Sequence, residues 1–156
     1  LETSRTTPEN EWKNLVEATQ KAKDLAIVYN KQLVMGPGFQ LMAKNEDKYT
    51  SMGALADIWI FQTQQLQKNP PGIEYRLEVQ RIVNLIRAEH PGLPIWAQIT
   101  FPPDRAPDVN EWLQYRENIL DLVDGAYIGI YTWETVANDQ LISAIDTIFN
   151  VTCGAP

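Results

Sequence analysis

Amides and aromatic side chains at the ends of predicted strands are the residues of this sequence with the clearest chemical potential. Several apolar runs end in glutamine, tyrosine or tryptophan rather than in a carboxylate. Amides both donate and accept hydrogen bonds, and aromatic rings stack on the apolar faces of sugars, so this combination favours a neutral polyhydroxy ligand. The predicted ligand-binding residues are Gln62, Gln64, Gln65, Gln98, Tyr131 and Trp133.

Metal and nucleophile chemistry has much weaker support in the sequence. His90 is the single histidine and lies in a His-Pro-Gly turn, and Cys153 is the single cysteine. A catalytic triad, an internal disulfide and a Cys-His metal cluster are therefore all unsupported. The loop carboxylates fit no calcium-loop spacing; they are Glu46, Asp47, Asp104 and Asp108. We predict no metal and no cofactor, and no residue is assigned a catalytic role.

Four short apolar runs have the composition of buried parallel strands. They are rich in β-branched and aromatic residues, and turn-forming or amide residues follow them. The predicted strands are 32–35, 57–61, 94–100 and 125–131. Within them Trp59, Phe61 and Trp96 are predicted to be core residues.

Amphipathic helices are predicted before the first strand and after the second, third and fourth. Thr7 caps the first helix and Pro8 opens it, while Asp108 and Glu111 form a capping box for the third. Residues 39–53 show no clear period and are predicted to form a long loop with room for one helical turn. The apolar stripes of the four helices are Trp12, Leu15, Val16, Thr19, Ala22, Ala26 and Tyr29; Tyr75, Val79, Ile82, Val83 and Ile86; Trp112, Tyr115, Ile119 and Leu122; and Leu141, Ile142, Ile145, Ile148 and Phe149.

This alternation predicts a single α/β domain over residues 1–156, with four parallel βα units and right-handed crossovers. A complete (βα)8 barrel needs about 250 residues, so the chain corresponds to half of a TIM barrel. The alternative is an open flavodoxin-like sheet. Its phosphate-binding turn would fall at Gly36-Pro37-Gly38, where Pro37 lacks a backbone N–H that an anion would need. In both architectures ligands bind at the carboxyl ends of the strands.

Asp57 and Asp124 each stand directly before an apolar strand, following Leu-Ala in one case and Leu-Val in the other. This short internal sequence similarity fits a repeated βαβα unit. Both acids lie at strand starts, the end of a barrel that serves stability. We therefore predict a structural role for both.

The net charge of the chain indicates which classes of binding partner to expect. Thirteen Lys and Arg against 20 Asp and Glu give a net charge of −7, which repels nucleic-acid phosphates and anionic membrane surfaces. We expect carbohydrate as the ligand, no nucleic acid and no membrane, and either a second copy of the chain or a missing amino-terminal half as the partner. The compartment is undetermined, because a single cysteine, Cys153, carries no disulfide signal. The sequon Asn150-Val151-Thr152 matters only in a eukaryotic secretory protein.

Two segments resemble glycosidase-type barrels, particularly the chitinase-like family. Residues 57–65, Asp-Ile-Trp-Ile-Phe-Gln-Thr-Gln-Gln, resemble that family's sixth strand, which ends in a Met-Thr-Tyr-Asp-like motif. Thr63 matches the motif, and Gln62, Gln64 and Gln65 replace its other three residues. Residues 125–133 resemble the family's last strand, where Trp133 would form the floor of the sugar site. The resemblance implies the carboxyl-terminal half of a TIM barrel that binds or hydrolyses carbohydrate.

The departures from this family pattern concern catalysis. Glycosidases need carboxyl groups beside the scissile bond, and amides cannot transfer that proton. Gln98 stands near the place where another group of glycosidase barrels presents a nucleophilic Glu, and Glu134 is better suited to the start of the last helix. The resemblance thus implies a domain that is incomplete or inactive alone. The general acid would lie on the fourth strand of the complete barrel, in the amino-terminal half that this chain lacks. Two alternatives stay open: a non-catalytic structural or assembly module, and an open-sheet enzyme for a small metabolite.

Overall fold

Helices and strands alternate along the chain, as the sequence predicts. The computed structural model describes residues 13–67, 71–101, 106–129 and 138–153. The predictions at Thr7, Pro8 and Trp12 lie outside these ranges. In chain order the elements are α1 (Leu15–Val28), β1 (Val34–Met35), α2 (Phe39–Ala43), a 3-10 turn (Glu46–Lys48), α3 (Tyr49–Leu55), β2 (Ile58–Gln62), α4 (Ile73–Ile86), β3 (Ile95–Thr100), α5 (Val109–Ile119), β4 (Gly125–Gly129) and α6 (Asn138–Cys153).

The described strands form one four-stranded sheet in the order β1-β2-β3-β4, and every pair is parallel. The predicted α/β class with four βα units is therefore confirmed. Each strand pairs with the strand that precedes it along the chain, so each crossover advances by one strand. Helical crossovers of this kind return the chain to the sheet in the same direction and leave their helices packed on it.

The two faces of the sheet differ in burial. Side chains alternate between faces along each strand, and residues paired in register share a face. The back face consists of Met35, Trp59, Phe61, Ile95, Ala97, Ile99, Ala126 and Ile128, and the front face of Val34, Ile58, Ile60, Gln62, Trp96, Gln98 and Tyr127. The back face belongs to the hydrophobic core beneath the helices, whereas these front-face residues are half-buried or exposed. Thr100 and Gly129, which share the front face at the ends of β3 and β4, are buried.

The predicted core role is confirmed for Trp59 and Phe61 but is wrong for Trp96. Trp59 and Phe61 lie on the back face and are buried. Trp96 points to the front face and remains 44% exposed. It crosses Gly125 on the neighbouring strand, where an added Cβ would come within 3.0 Å of the indole ring. Strand parity, rather than the apolar character of the residue, decides this placement.

Helix α4 supplies the largest contribution to the core from the helical layer. Its five predicted core residues recur at helical spacing and are all buried, which confirms the prediction; they are Tyr75, Val79, Ile82, Val83 and Ile86. Full burial of such a side chain stabilises a fold by roughly 1.5–3 kcal/mol. The ring of Tyr75 meets Tyr115 of α5 edge to face, with ring centroids 4.9 Å apart.

Helix α5 starts at the predicted cap. The backbone N–H of Glu111 donates to Oδ1 of Asp108 at 3.1 Å, which satisfies one of the first-turn donors that a helix leaves unpaired. Trp112 is buried, and its indole N–H donates to the carbonyl of Ile99 on β3 at 3.1 Å. This bond joins the first turn of α5 to the sheet.

The prediction of a long loop over residues 39–53 is wrong. Two short helices, α2 and α3, and the 3-10 turn between them occupy this region. The Tyr49 ring lies 5.9 Å from Trp59, and Met52 is fully buried. Gly53 allows α3 to approach α4, because a Cβ there would collide with the backbone carbonyl of Ile86. Burial between helices therefore stabilises this segment, and no local period was available to reveal it.

Two helix stripes need correction. In α1, Leu15 and Thr19 are buried, but Tyr29 is exposed because the helix ends one residue earlier. In α6, Ala144 and Ile148 form the buried side, while the predicted core residues Ile142 and Phe149 are exposed. The predicted stripe of α6 was too wide, since only one part of it faces α5.

Asp57 fastens the start of β2 to the start of β1. Its Oδ2 accepts the N–H of Leu33 at 2.7 Å, and its own N–H donates to the Leu33 carbonyl at 3.0 Å. Lys23 of α1 donates to Oδ1 at 2.7 Å. The Lys23 hydrogen bond, together with the Leu33 N–H, lowers the pKa of Asp57.

Asp124 repeats this arrangement two strands later. Its Oδ2 accepts the N–H of Ile95 at 2.7 Å, and its own N–H donates to the Ile95 carbonyl at 2.9 Å. Arg87 donates to Oδ2 and also to the carbonyls of Leu93 and Leu122, both at 3.0 Å. The predicted structural role of both acids is thus confirmed. The short internal sequence similarity corresponds to two matching aspartate clamps, one per βαβ pair.

Candidate functional site

Three polar side chains form a row across the front face near the carboxyl ends of the strands. Gln62 of β2 is in register with Gln98 of β3, which is in register with Tyr127 of β4. Neighbouring strands lie about 4.8 Å apart, so the three side chains stand next to each other. The hydroxyl of Tyr127 donates to Oε1 of Gln98 at 2.8 Å. We call Gln62, Gln98 and Tyr127 the amide row.

The other two glutamines predicted after β2 have different surroundings. Gln64 donates from Nε2 to Oε1 of Gln62 at 3.2 Å, so it extends the amide row beyond the strand. Gln65 is exposed and lines a cavity of about 530 Å³ at the start of α4, beside Glu74 and Tyr75. The structure therefore brings Gln62, Gln64 and Gln98 together and places Gln65 elsewhere.

The two aromatic residues predicted for the site, Tyr131 and Trp133, lie outside the described residues. The same holds for Glu134 and for the loop residue Asp104. Tyr127 is a site residue that the sequence interpretation missed, because it was treated only as part of a strand. Its position two residues after Gly125, in register with Gln98, is the signal that identifies it.

Thr63 and Tyr75 hold the backbone beneath the amide row. Thr63 donates to the Gln98 carbonyl from both its N–H, at 3.2 Å, and its hydroxyl, at 2.8 Å. The hydroxyl of Tyr75 donates to Oγ1 of Thr63 at 3.2 Å. Burial raises the pKa of Tyr75 well above its usual value, so the phenol stays protonated and remains a donor. Thr63, the residue that matches the family motif, thus has a structural role here.

Gln67 continues the pairing of β2 with β3 after the strand itself has ended. Its Nε2 donates to the carbonyl of Thr100, and its Oε1 accepts the Thr100 N–H, both at 2.9 Å. The Thr100 hydroxyl also donates to that oxygen at 3.3 Å. The side-chain amide takes the place of a peptide group and keeps the carboxyl ends of the two strands together.

Gly129 makes room for the side chain of Gln98. A Cβ at position 129 would lie 2.6 Å from Cγ2 of Thr100 and 2.7 Å from Cγ of Gln98. Carbon atoms do not approach so closely, so any larger residue on β4 would displace Gln98 or Thr100. The amide row therefore depends on a glycine at the end of β4.

Trp96 provides an apolar platform beside the amide row. It lies two residues before Gln98 on the same strand face, which is about 6.6 Å along β3 at the usual rise per residue. Its indole is substantially exposed. An exposed ring next to uncharged hydrogen-bonding groups can contact an apolar surface and polar groups of the same ligand.

Within the described ranges, no group of three or more His, Cys, Asp or Glu side chains is placed to hold a metal ion. Among the described helices, none is both long and apolar enough to cross a membrane. Comparisons with protein-family models, curated proteins and solved structures gave no match. The amide row and its platform are therefore the features from which a function can be inferred.

Proposed function

We propose that this chain is a glycosidase-like, half-barrel domain that binds a neutral carbohydrate on the front face of its sheet. The observation that supports the proposal is the amide row, in which Gln62, Gln98 and Tyr127 meet at the carboxyl ends of three adjacent parallel strands. This is the end at which parallel α/β folds bind ligands. The sequential strand order is also the order within a barrel.

The chemistry of the row favours hydroxyl groups over charged ligands. Each amide offers two donor hydrogens and one acceptor oxygen, and a phenol offers one donor and an acceptor. A chain of net charge −7 repels anions, and no cationic side chain belongs to the row. Trp96 adds a surface on which a pyranose ring can stack.

Binding without hydrolysis fits the composition of the row. Glycoside cleavage requires carboxyl groups on either side of the bond, and the row contains none. Under this proposal the domain positions a sugar, and a catalytic acid would have to come from a segment that completes the barrel.

The test is a screen of soluble neutral oligosaccharides, followed by calorimetric titration of the best one. We expect Gln98→Ala and Trp96→Ala each to weaken binding at least tenfold, equivalent to ~1.4 kcal/mol. Gln80→Ala, an exposed glutamine on α4, is the matched control and should bind within twofold of wild type. If no oligosaccharide binds, or if all three variants bind alike, the carbohydrate proposal is wrong.

A second candidate is a non-catalytic assembly module. It is favoured by the apolar part of the front face, where Ile58 and Ile60 stand beside the exposed Trp96 and no charged residue intervenes. Such a surface can pack against another subunit. Sedimentation velocity distinguishes the candidates: Trp96→Glu should dissociate an assembly formed through this face, and a monomeric wild-type chain would exclude self-assembly.

A further inference from the structure

A groove of about 450 Å³ lies between α1 and the outer edge of β1. On its helix side, Ala18, Ala22 and Leu25 follow one another at helical spacing, and on its strand side the groove reaches Val34 and Met35. Leu25 is 58% exposed and Val34 is 49% exposed. A groove with an apolar strip at Ala18, Ala22 and Leu25 thus runs along the edge of the sheet, in a place separate from the amide row.

Helix α1 packs beside the next helix of the layer, as a crossover helix of the same sheet would. It contacts α3, the helix that connects β1 to β2, and Leu15 and Thr19 are its buried residues. Lys23 fastens it to Asp57 at the start of β2. Crossover helices pack over the two strands that they connect. The groove is the place that a strand before α1 would take, next to β1.

The backbone of β1 is oriented to pair on this side. Leu33 turns both of its backbone groups toward β2, because its N–H donates to Asp57 and its carbonyl accepts from Asp57 and Ile58. In a parallel ladder, successive residues direct their N–H and C=O groups to opposite sides. The N–H and C=O of Val34 therefore point toward the groove, where an added strand would find one donor and one acceptor.

The charges around the groove fit an uncharged occupant. Glu17 and Lys21, both of which line it, bind each other at 2.7 Å, and the rest of its described lining is uncharged. The groove is thus a neutral surface on an acidic chain, so a strand without charges enters it without separating an ion pair.

The outer side of β1 is the free edge of the described sheet, whose strand order is β1-β2-β3-β4. A single extended strand pairs with both outward groups of Val34 at once, because main-chain hydrogen bonds join parallel neighbours through one donor and one acceptor. We therefore take an extended peptide strand as the occupant.

We propose that the groove between α1 and β1 binds an extended, uncharged peptide strand that runs parallel to β1 and pairs with the backbone of Val34. This is strand addition at a sheet edge, in which main-chain hydrogen bonds provide affinity and side-chain pockets provide specificity. The alternate side chains of the strand would be aliphatic and would pack against Ala18, Ala22 and Leu25. The proposal does not depend on carbohydrate binding.

The probe is a synthetic peptide with the sequence of residues 93–101, Leu-Pro-Ile-Trp-Ala-Gln-Ile-Thr-Phe, followed by a short Gly-Ser tail. This segment is uncharged and supplies a strand that already packs beneath helices of the same fold. Calorimetric titration with the full chain should give saturable one-to-one binding. The Val34 amide should shift in two-dimensional NMR spectra, and a scrambled peptide of the same composition should bind at least tenfold more weakly.

Three variants locate the binding. Leu25→Glu should weaken binding at least tenfold. Ile27→Glu, at a position of similar exposure (64%) on the same helix but outside the groove, should leave binding within twofold of wild type. Val34→Pro removes the outward N–H, a change that an edge strand tolerates, and should also weaken binding. If Val34→Pro does not fold, the two helix variants decide.

Any of three results in the peptide experiments overturns the proposal. The first is the absence of saturable binding, the second is equal binding of the scrambled peptide, and the third is an equal loss in Leu25→Glu and Ile27→Glu. A dimer that forms without peptide and dissociates in Leu25→Glu would identify a second copy as the occupant and would also overturn it.

Discussion

The two aspartate clamps make a quantitative prediction about stability. Asp57→Ala removes the acceptor of the Leu33 N–H and the partner of Lys23, and Asp124→Ala does the same to Ile95 and Arg87. Asp→Asn at each position keeps one carbonyl oxygen for the backbone N–H but removes the negative charge. The clamps are alike, so we expect the two positions to respond alike.

The magnitude follows from the bonds that are lost. A hydrogen bond to a charged group contributes about 1.5–3 kcal/mol to stability, and a partly exposed ion pair contributes roughly 0.2–1 kcal/mol. The side chains of Lys23 and Asp57 are 22% and 30% exposed, so the ion pair belongs to the weaker class. Asp→Ala should therefore destabilise the fold by about 2–4 kcal/mol, and Asp→Asn by about half of that.

Equilibrium urea unfolding, followed by tryptophan fluorescence, measures these changes. The midpoint should fall while the slope m stays constant, because m reports the surface exposed on unfolding. Asp146→Ala, at an exposed position on α6, is the control and should remain within about 0.5 kcal/mol of wild type. If both clamp alanine variants also remain within that range, the carboxylates are only solvated charges and the structural reasoning fails.

Three further predictions concern helix contact, strand pairing and pH. Gly53→Ala should lower Tm by about 2–8 °C in calorimetry, because ~2–3 kcal/mol of overpacking against the Ile86 carbonyl of α4 exceeds the ~1 kcal/mol gain in helix propensity; a higher Tm would contradict the close approach. Gln67→Ala should cost about 1–3 kcal/mol in urea unfolding through its lost bonds to Thr100, and an unchanged midpoint would contradict the bridge. The Lys23 hydrogen bond lowers the folded-state pKa of Asp57, so its contribution is present above about pH 3.9 and disappears as pH falls through the lower folded pKa. The difference in urea midpoint between wild type and Asp57→Asn should be smaller at pH 3 than at pH 7. An equal difference at the two pH values would refute this prediction.

The strands and α4 were predictable because local pattern and tertiary burial agree there. The stripe from Tyr75 to Ile86 has a helical period and is buried along its length. Residues 39–55 were not predictable in the same way. Helix α3 packs so closely on α4 that a Cβ at Gly53 would collide with the Ile86 carbonyl, and no periodicity in the segment indicates that contact.

The candidate site was predictable in part for a similar reason. Placing Gln62 and Gln98 at the ends of adjacent parallel strands required only the order of the elements, and the register confirms that they meet. The front-face positions of Trp96 and Tyr127 depend on strand parity, which shifts both residues to the other face if a boundary moves by one residue. Composition alone favoured a buried Trp96, whereas the register exposes it.

The sequential order of the strands also has a consequence for how the chain folds. The contacts that join neighbouring strands span 24 residues between Leu33 and Asp57, 35 between Thr63 and Gln98, and 29 between Ile95 and Asp124. Loop-closure entropy grows only with the logarithm of loop length, so these three closures differ by about 0.3 kcal/mol. Within the described sheet, each of β2, β3 and β4 pairs with a strand that has already been synthesised. A nascent chain can therefore add one βα unit at a time as it leaves the ribosome.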